Sequence, residues 1–403
     1  MNTSSASHLR GRYLLRNPLL FTYLSTTDAL LRIVGSREQA ATRHDPPRRV
    51  LLAIGGHLGD AIVASRAVQL LKTSLDGIEV GIVAPSWSRV VFETEPSVRW
   101  LHTVDHWRMN RTGKPLASRI RCYRNTWRSA RASISDVGYD IAVDLYPYYP
   151  NMAGLLWRSG IARRVGFASG GRAPLYTAAS EWIDDRSHIS EKQLRLLRTA
   201  LPELDGAAAP APRLAPPTAT ATQTVGALLA SNSVATGSRY VILHPGAGMA
   251  TRLWPVASWR ELAQRVSSVV PVVLTGVGLA EQVAAGTIAQ GLDGCVNLVD
   301  QLNWRQLEAL VANAAVVVAG ETSVGHLAAA HRTPGVGIYT GITDTREWRP
   351  LGAPAVPMAI LSAPVPCAPC YRANGCEAMT CVRDIPVNRV LTEVFRILDL
   401  ESR

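Results

Sequence analysis

From Arg49 onward, short apolar runs alternate with longer stretches whose apolar residues recur at helical spacing. In the first half Val50–Ile54, Val80–Ala84, Trp100–Val104, Tyr139–Asp144 and Arg164–Phe167 read as strands. In the second half Tyr240–Leu243, Pro271–Thr275, Val296–Leu298, Ala315–Ala319 and Gly335–Tyr339 do so. Runs that are apolar throughout suit strands covered on both faces, and strand–helix alternation argues for a parallel sheet with helices on both sides. The pattern therefore predicts an α/β chain of two halves with one shared architecture. The expected layout is an extension over residues 1–48 and a first domain over 49–205. A linker rich in Ala, Pro and Thr follows over 206–222, then a second domain over 223–386. A helix over 387–403 could cross back onto the first domain.

The extension carries its own pattern. Residues 17–35 read as an amphipathic helix with Leu20, Leu24, Leu31 and Val34 near one face and Thr22, Ser25, Thr26 and Arg32 opposite. Arg10, Arg12 and Arg16 precede it, so it could lie on an anionic membrane. Docking on its own domain is the alternative. The run His44-Asp45-Pro46-Pro47 ends the pattern.

Composition narrows the class. At 403 residues, 47% hydrophobic and 18% charged, the chain is globular and large enough for two cores. Its net charge of +11, mostly from arginine, favours an anionic partner. No nucleic-acid-binding signature accompanies that charge, so nucleic acid is not expected. Neither a secretory leader nor a run of about 20 apolar residues is visible, and a cytoplasmic enzyme, peripheral on the membrane at most, is expected. Its six cysteines then read as thiols or metal ligands rather than disulfides.

Three strand–turn–helix passages carry candidate chemistry. His244-Pro245-Gly246-Ala247-Gly248 closes a strand ahead of Arg252 and Trp254-Pro255. Gly320-Glu321-Thr322-Ser323 lies between a strand and the helix containing His326. Backbone N–H groups at such a helix start attract phosphate, and Arg252 could pair with the same diphosphate. Glu321 could accept from sugar or ribose hydroxyls; alternatively Glu321 and Ser323 only cap the helix, and His326 is a structural histidine. In the first half Gly55-Gly56-His57-Leu58-Gly59-Asp60 places Asp60 at a helix start, where a carboxylate could deprotonate an acceptor hydroxyl. There, too, Asp60 could merely complement the helix dipole, and His57 is a rival base.

These motifs, in this order, resemble glycosyltransferase family 9, the heptosyltransferases of lipopolysaccharide core assembly. The resemblance spans about residues 49–395. It rests on Leu58-Gly59-Asp60, Tyr139–Asp144, Arg164–Phe167, His244–Ala247 with Arg252 and Trp254-Pro255, Thr275-Gly276 with Glu281, and Glu321-Thr322 with His326–Ala330. It implies a GT-B fold, two Rossmann-like domains facing a central cleft. It further implies inverting sugar transfer from a nucleotide donor of the ADP-heptose type, with no cofactor required for catalysis. Asp60 falls on the family's base. Donor contacts fall on His244, Gly246, Ala247, Arg252, Trp254, Glu281, Glu321, Thr322, Ser323 and His326. Glu321-Thr322-Ser323 stands where the family has Asp-Thr-Gly, a departure that bears on which donor fits.

The acceptor side has a signature as well. Trp107–Ser135 holds eight basic residues and no acid, with Arg121, Arg124, Arg128 and Arg131 on one helical face. That face suits phosphates or sugar-acid carboxylates of an anionic glycolipid or glycan, unless it is simply solvated. Tyr146, Tyr148 and Tyr149 could stack on sugars, and Asn151 and His57 could contact the acceptor. Cys367, Cys370, Cys376 and Cys381 could enclose a structural zinc or iron. A branch of the family that glycosylates autotransporter proteins uses such thiols for iron, whereas four free thiols are the plainer reading. Two further functions remain open at this point: a GT-B-like sugar-nucleotide epimerase, and a non-catalytic glycan- or nucleotide-binding relative.

Overall fold

A computed structural model describes residues 12–15, 17–35, 47–372 and 374–399. The chain divides into two compact units, Met1–Pro210 and Ala211–Arg403. Arg10, Arg16 and the break at residues 44–46 lie outside the described residues.

The first unit contains strands β1 (Arg49–Ala53), β2 (Glu79–Ala84), β3 (Val98–Thr103), β4 (Ile141–Asp144), β5 (Arg163–Phe167) and β6 (Ala178–Ser180). Its helices are α1 (Pro18–Gly35), α2 (Leu58–Ser74), α3 (Ser86–Arg89), α4 (Leu116–Val137), α5 (Ala153–Arg158) and α6 (Ile189–Ala200). The second unit contains β7 (Val241–His244), β8 (Val272–Leu274), β9 (Cys295–Asn297), β10 (Val316–Gly320), β11 (Gly335–Ile338) and β12 (Met358–Leu361). Its helices are α7 (Ala219–Ser231), α8 (Val256–Ser267), α9 (Leu279–Ala289), α10 (Trp304–Ala312), α11 (Ser323–Ala330), α12 (Thr345–Trp348), α13 (Thr380–Arg383) and α14 (Val387–Ile397).

All ten strands expected from the apolar runs form, with ends shifted by up to two residues. Each unit adds one edge strand: β6, the three-residue and largely exposed Ala178–Ser180, and β12, the apolar but only partly buried Met358–Leu361. Both sheets are parallel. The first runs β3-β2-β1-β4-β5-β6 and the second β9-β8-β7-β10-β11-β12, so each has the doubly wound 3-2-1-4-5-6 order. The central strands are buried on both faces, as their unbroken Val, Leu and Ile content requires.

Two boundaries differ in character from expectation. Part of the expected linker is helical, because Thr218 caps α7 by accepting from Ala221 N. The C-terminal helix α14 buries Val390, Leu391 and Val394 and packs on α8, β10, β11 and β12 of the second unit.

The predicted N-terminal helix forms as α1. Leu24 is fully buried and Leu31 packs on the first unit's core, as the apolar stripe implied. Asp28 is fully buried beside them and takes hydrogen bonds from Tyr13 Oη and the backbone N–H of Arg172. The opposite face is less polar than expected, since Leu19, Leu30 and Ile33 are 81%, 60% and 74% exposed. Among the described residues, no helix is long and apolar enough to cross a membrane.

Candidate functional site

A doubly wound sheet opens a crevice at the carboxyl ends of its two central strands, where the winding reverses. In the first unit those strands are β1 and β4, with Ala53 paired to Asp144. In the second they are β7 and β10, with His244 paired to Ala319. Each sequence-predicted turn therefore leaves a sheet at its reversal point.

In the first unit Asp60 occupies the first turn of α2, and its Oδ2 accepts from the His57 backbone N–H at 2.8 Å. Gly56 makes this approach feasible, because a Cβ there would overlap the Asp60 carboxyl group. Gly55 is pressed against the buried Tyr146 ring, where a Cβ would stand 2.8 Å from Cδ1. The His57 ring lies 5.9 Å from that of Trp87, whose indole donates to Gly56 O. Burial first, then Arg111, lowers the His57 pKa to about 4, so the ring is neutral at pH 7. Beneath the turn, buried Asp144 accepts from Tyr146 N, Met152 N and Tyr176 Oη. Burial pushes its pKa up to about 6, the three donors opposing that rise.

Asn151 is buried, with Nδ2 donating to Gly171 O at 2.7 Å and Oδ1 left without a hydrogen-bond partner. Tyr146 and Tyr148 have ring centroids 5.5 Å apart. The face of Arg121, Arg124, Arg128 and Arg131 is exposed along α4, as the helical spacing predicted. Sequence reasoning missed a second group. His106, Arg108 and Arg172 surround Tyr149, with both guanidinium carbons under 6 Å from the ring centroid. The signal for Arg172 was the preceding Gly170-Gly171 pair, a turn marker directly after strand β5.

In the second unit Thr322 caps α11, its hydroxyl accepting from Val324 N at 3.2 Å, and Ser323 is the first helical residue. Glu321 is buried, and its carboxylate is already engaged. It accepts from Thr340 Oγ1 at 3.0 Å and Thr343 Oγ1 at 2.9 Å, and pairs with Arg252 at 3.3 Å. That arrangement differs from the expectation that Glu321 accepts from ligand hydroxyls. The Arg252 Nε is buried without a hydrogen-bond acceptor. A buried N–H of a cation left unpaired is costly, so this edge of the guanidinium suits an incoming anion.

His244 ends β7 and its Nδ1 lies 3.0 Å from Thr275 Oγ1. Burial lowers its pKa to about 4, which makes it a neutral hydrogen-bonding group. Glu281 braces the neighbouring loops. Its Oε2 accepts from Val277 N, and its carboxyl fills the space that a Cβ at Gly246 would occupy. Ala247 lies in the same loop, while His326 is buried on α11. Trp254 departs from its expected donor role. It is 2% exposed, packs edge-on against Trp259 and donates its indole N–H to Ile385 O. The cysteine cluster also departs from expectation: among the described residues no group of three or more His, Cys, Asp or Glu is arranged to hold a metal ion. Cys376 Sγ instead accepts from Met379 N, and Cys381 is buried in the second unit's core.

Comparison with known proteins follows the same motifs. Residues 127–379 match the model of glycosyltransferase family 9 (heptosyltransferase). Lipopolysaccharide heptosyltransferase 1 of Pseudomonas aeruginosa is 27% identical over 348 residues, 80% of this chain and 86% of the relative. Among solved structures, ADP-heptose lipopolysaccharide heptosyltransferase II of E. coli aligns with a TM-score of 0.68 at 20% identity, over 88% of this chain and 100% of the other. A family 9 glycosyl transferase from Veillonella parvula aligns at 0.72 and 13% identity, over 87% and 97%. An E. coli heptosyltransferase bound to ADP aligns at 0.64 and 19% identity, over 87% and 99%.

Proposed function

Because the chain belongs to glycosyltransferase family 9, and is therefore a glycosyltransferase of GT-B fold, we propose that it moves a heptose from an ADP-heptose-type donor to an anionic lipopolysaccharide-core acceptor with inversion. The observation that carries the donor half is Arg252. Its guanidinium is tethered by Glu321 beside the start of α11, with Nε lacking an acceptor. A diphosphate would supply that acceptor and also meet the N–H groups at the helix start. Lipopolysaccharide heptosyltransferase 1 is the relative that motivates the acceptor class.

Asp60 is the base in this reading. Its carboxylate takes the proton of the acceptor hydroxyl as that oxygen forms a bond to the anomeric carbon. The bond from that carbon to the diphosphate oxygen breaks, and the nucleoside diphosphate leaves with the electron pair. Arg252 and the α11 N-terminus stabilise the charge that develops on it. The backbone hydrogen bond from His57 fixes where the Asp60 carboxylate points. Neutral His57 and Tyr146 wall the acceptor side, while the Arg121–Arg131 face attracts an anionic glycolipid. The outward stripe Leu19, Leu30 and Ile33 of α1 is suited to resting on the lipid surface that carries such an acceptor.

The test is direct. The purified protein is heated with ADP-heptose, other sugar nucleotides and free nucleotides, then assayed for heptose transfer to deep-rough lipopolysaccharide by mass spectrometry. A ligand that binds only the folded state raises the melting temperature. Stabilisation by ADP-heptose in preference to the other sugar nucleotides, together with transfer, supports the proposal. Stabilisation by a different sugar nucleotide, or donor turnover without an acceptor, overturns the donor or the transfer respectively.

A further inference from the structure

The residues around Tyr149 form a site that the family motifs do not describe. Arg108 and Arg172 approach this ring, at 5.8 and 5.9 Å from its centroid. His106 lies 6.3 Å from the same ring and 4.6 Å from Tyr123. Burial first, then Arg172 and Arg108, lowers the His106 pKa to about 4, so the local positive charge comes from the two arginines. A small cavity joins this cluster to the β1–α2 turn, lined by Gly55, His106, Tyr123, Asn151 and Arg172. Asn151, 6% exposed, contributes the Oδ1 that has no hydrogen-bond partner.

The N-terminal extension supplies one wall of this site. Tyr23 of α1 stands edge-on to Tyr149 at 6.3 Å. Leu24 covers Gly171, whose φ is +76°, and a Cβ on that glycine would stand 2.9 Å from the leucine. Arg172 itself has φ of 58°, a backbone conformation that costs a non-glycine residue energy and persists only when its surroundings impose it. Here Asp28 imposes it: Oδ1 accepts the Arg172 backbone N–H at 2.6 Å, and Oδ2 accepts from Tyr13 Oη at 2.8 Å. The extension thus holds a strained turn whose side chain points toward the tyrosine cluster.

We infer that residues 12–15 and 17–33 complete the acceptor site. They fix the Gly171–Arg172 turn so that Arg172 and Arg108, both within 6 Å of the Tyr149 ring centroid, receive a phosphate or carboxylate of the acceptor. This rests on the proposed transfer to an anionic glycan. It adds that acceptor selection depends on a segment ahead of every residue matched by the family model. Arg172 is a binding residue and Asp28 a positioning residue in this scheme.

The experiment uses the full chain with deep-rough lipopolysaccharide in three forms: intact, phosphatase-treated and carboxyl-amidated. Arg172→Ala should raise the acceptor KM at least tenfold, leave kcat within threefold and leave the donor KM unchanged. Asp28→Ala should reproduce the shift, and Asp28→Asn, which retains an oxygen for the Arg172 N–H, should recover most of it. The Arg172→Ala penalty should vanish on the acceptor form lacking the group bound, which separates phosphate from carboxylate. An unchanged acceptor KM in Arg172→Ala with wild-type melting overturns the inference, as does an equal penalty on all three forms. If the wild-type chain performs no transfer, the parent proposal fails. Equilibrium binding of intact lipopolysaccharide micelles to wild type and Arg172→Ala then decides this inference alone: a tenfold loss supports it and equal binding overturns it.

Discussion

Replacing Asp60 by Asn tests the centre of the mechanism with little structural disturbance. The carboxylate accepts the His57 N–H at 2.8 Å, and an asparagine oxygen can accept the same bond. The side chains are nearly isosteric, so the packing against Gly56 survives. The lost charge weakens one hydrogen bond by about 1 kcal/mol and one helix-dipole interaction by about 0.3–1 kcal/mol. Against a typical stability of about 5–15 kcal/mol the variant stays folded. Catalysis responds differently. General-base assistance is worth about 10²–10⁴ in rate, or about 2.7–5.5 kcal/mol of barrier. Initial rates of nucleotide release with ADP-heptose and deep-rough lipopolysaccharide should give a kcat lowered by that factor. Calorimetry should give a donor Kd within twofold of wild type, because the residues proposed to hold the donor belong to the second unit. A kcat within fivefold of wild type would refute the assignment of Asp60 as base. A matching loss of donor affinity would refute the division of roles between the units. Gly56→Ala is the companion variant. It keeps the carboxylate but forces it aside, and should lose most of the same rate.

Four other outcomes follow from the same geometry. Arg252→Ala should raise the donor KM by about 10–100-fold, the range expected for a charge-assisted bond to phosphate, with Arg252→Lys intermediate; unchanged donor affinity would remove Arg252 from the site. Glu321→Gln keeps an acceptor oxygen for one of Thr340 and Thr343 and offers the other hydroxyl an amide N–H to accept from, but loses the ionic tether, so donor affinity should fall about tenfold while the melting temperature moves little; a gain in affinity would show that Glu321 repels the diphosphate rather than orienting Arg252. Changing Leu19, Leu30 and Ile33 together to Ser should abolish sedimentation with vesicles containing anionic phospholipid without altering donor binding; persistent sedimentation would place the lipid contact elsewhere. For pH, His57, His102, His106, His244 and His331 are each lowered to about 4 by burial, below the ordinary 6.5, so the unfolded chain binds protons that the folded one excludes. Their stabilisation is full above about 6.5 and declines as pH falls toward 4. Asp144, raised to about 6, acts oppositely, losing its contribution as pH rises to 6. Five groups outweigh one, and melting temperatures measured between pH 7 and 4.5 should fall; a flat profile would mean the rings are not buried neutral.

The architecture was legible because both sheets are built from runs apolar on both faces, and such runs have few other uses in a chain of this length. The edge strand β6 escaped because it is only three residues, Ala-Ala-Ser, largely exposed, whereas β12 is an apolar Met-Ala-Ile-Leu run that was legible and went unread. The same contrast holds at the site. Asp60, Glu321 and Thr322 lie within two or three residues of a strand or helix end, where local sequence dictates position. Arg172 and Asp28 do not. They meet across 144 positions of chain, and nothing near either residue encodes the other. Trp254 misled for a related reason: a tryptophan beside a phosphate-type loop reads as a ligand contact, yet Ile385, far along the chain, supplies the carbonyl that buries it.

The departure at Glu321-Thr322-Ser323 has a physical reading that sequence alone left open. A carboxylate one methylene longer than aspartate reaches past the helix start to Thr340 and Thr343, which follow β11, and still pairs with Arg252. Two threonine hydroxyls donate to it, so the charge is retained without consuming the arginine's Nε. Ser323 is tolerated because the position is an ordinary right-handed N1 residue rather than one needing the left-handed region. The altered triplet therefore keeps the helix cap and the cation that a diphosphate requires. What it changes is the group presented to the sugar, since a glutamate held by two threonines and an arginine has less freedom to accept from a sugar hydroxyl. Donor binding energy in this chain should consequently come from the nucleoside diphosphate more than from the sugar. A comparison of free ADP with ADP-heptose separates the two: near-equal affinities would locate the binding energy in the nucleotide, and a large preference for the sugar-bearing form would contradict this account of Glu321.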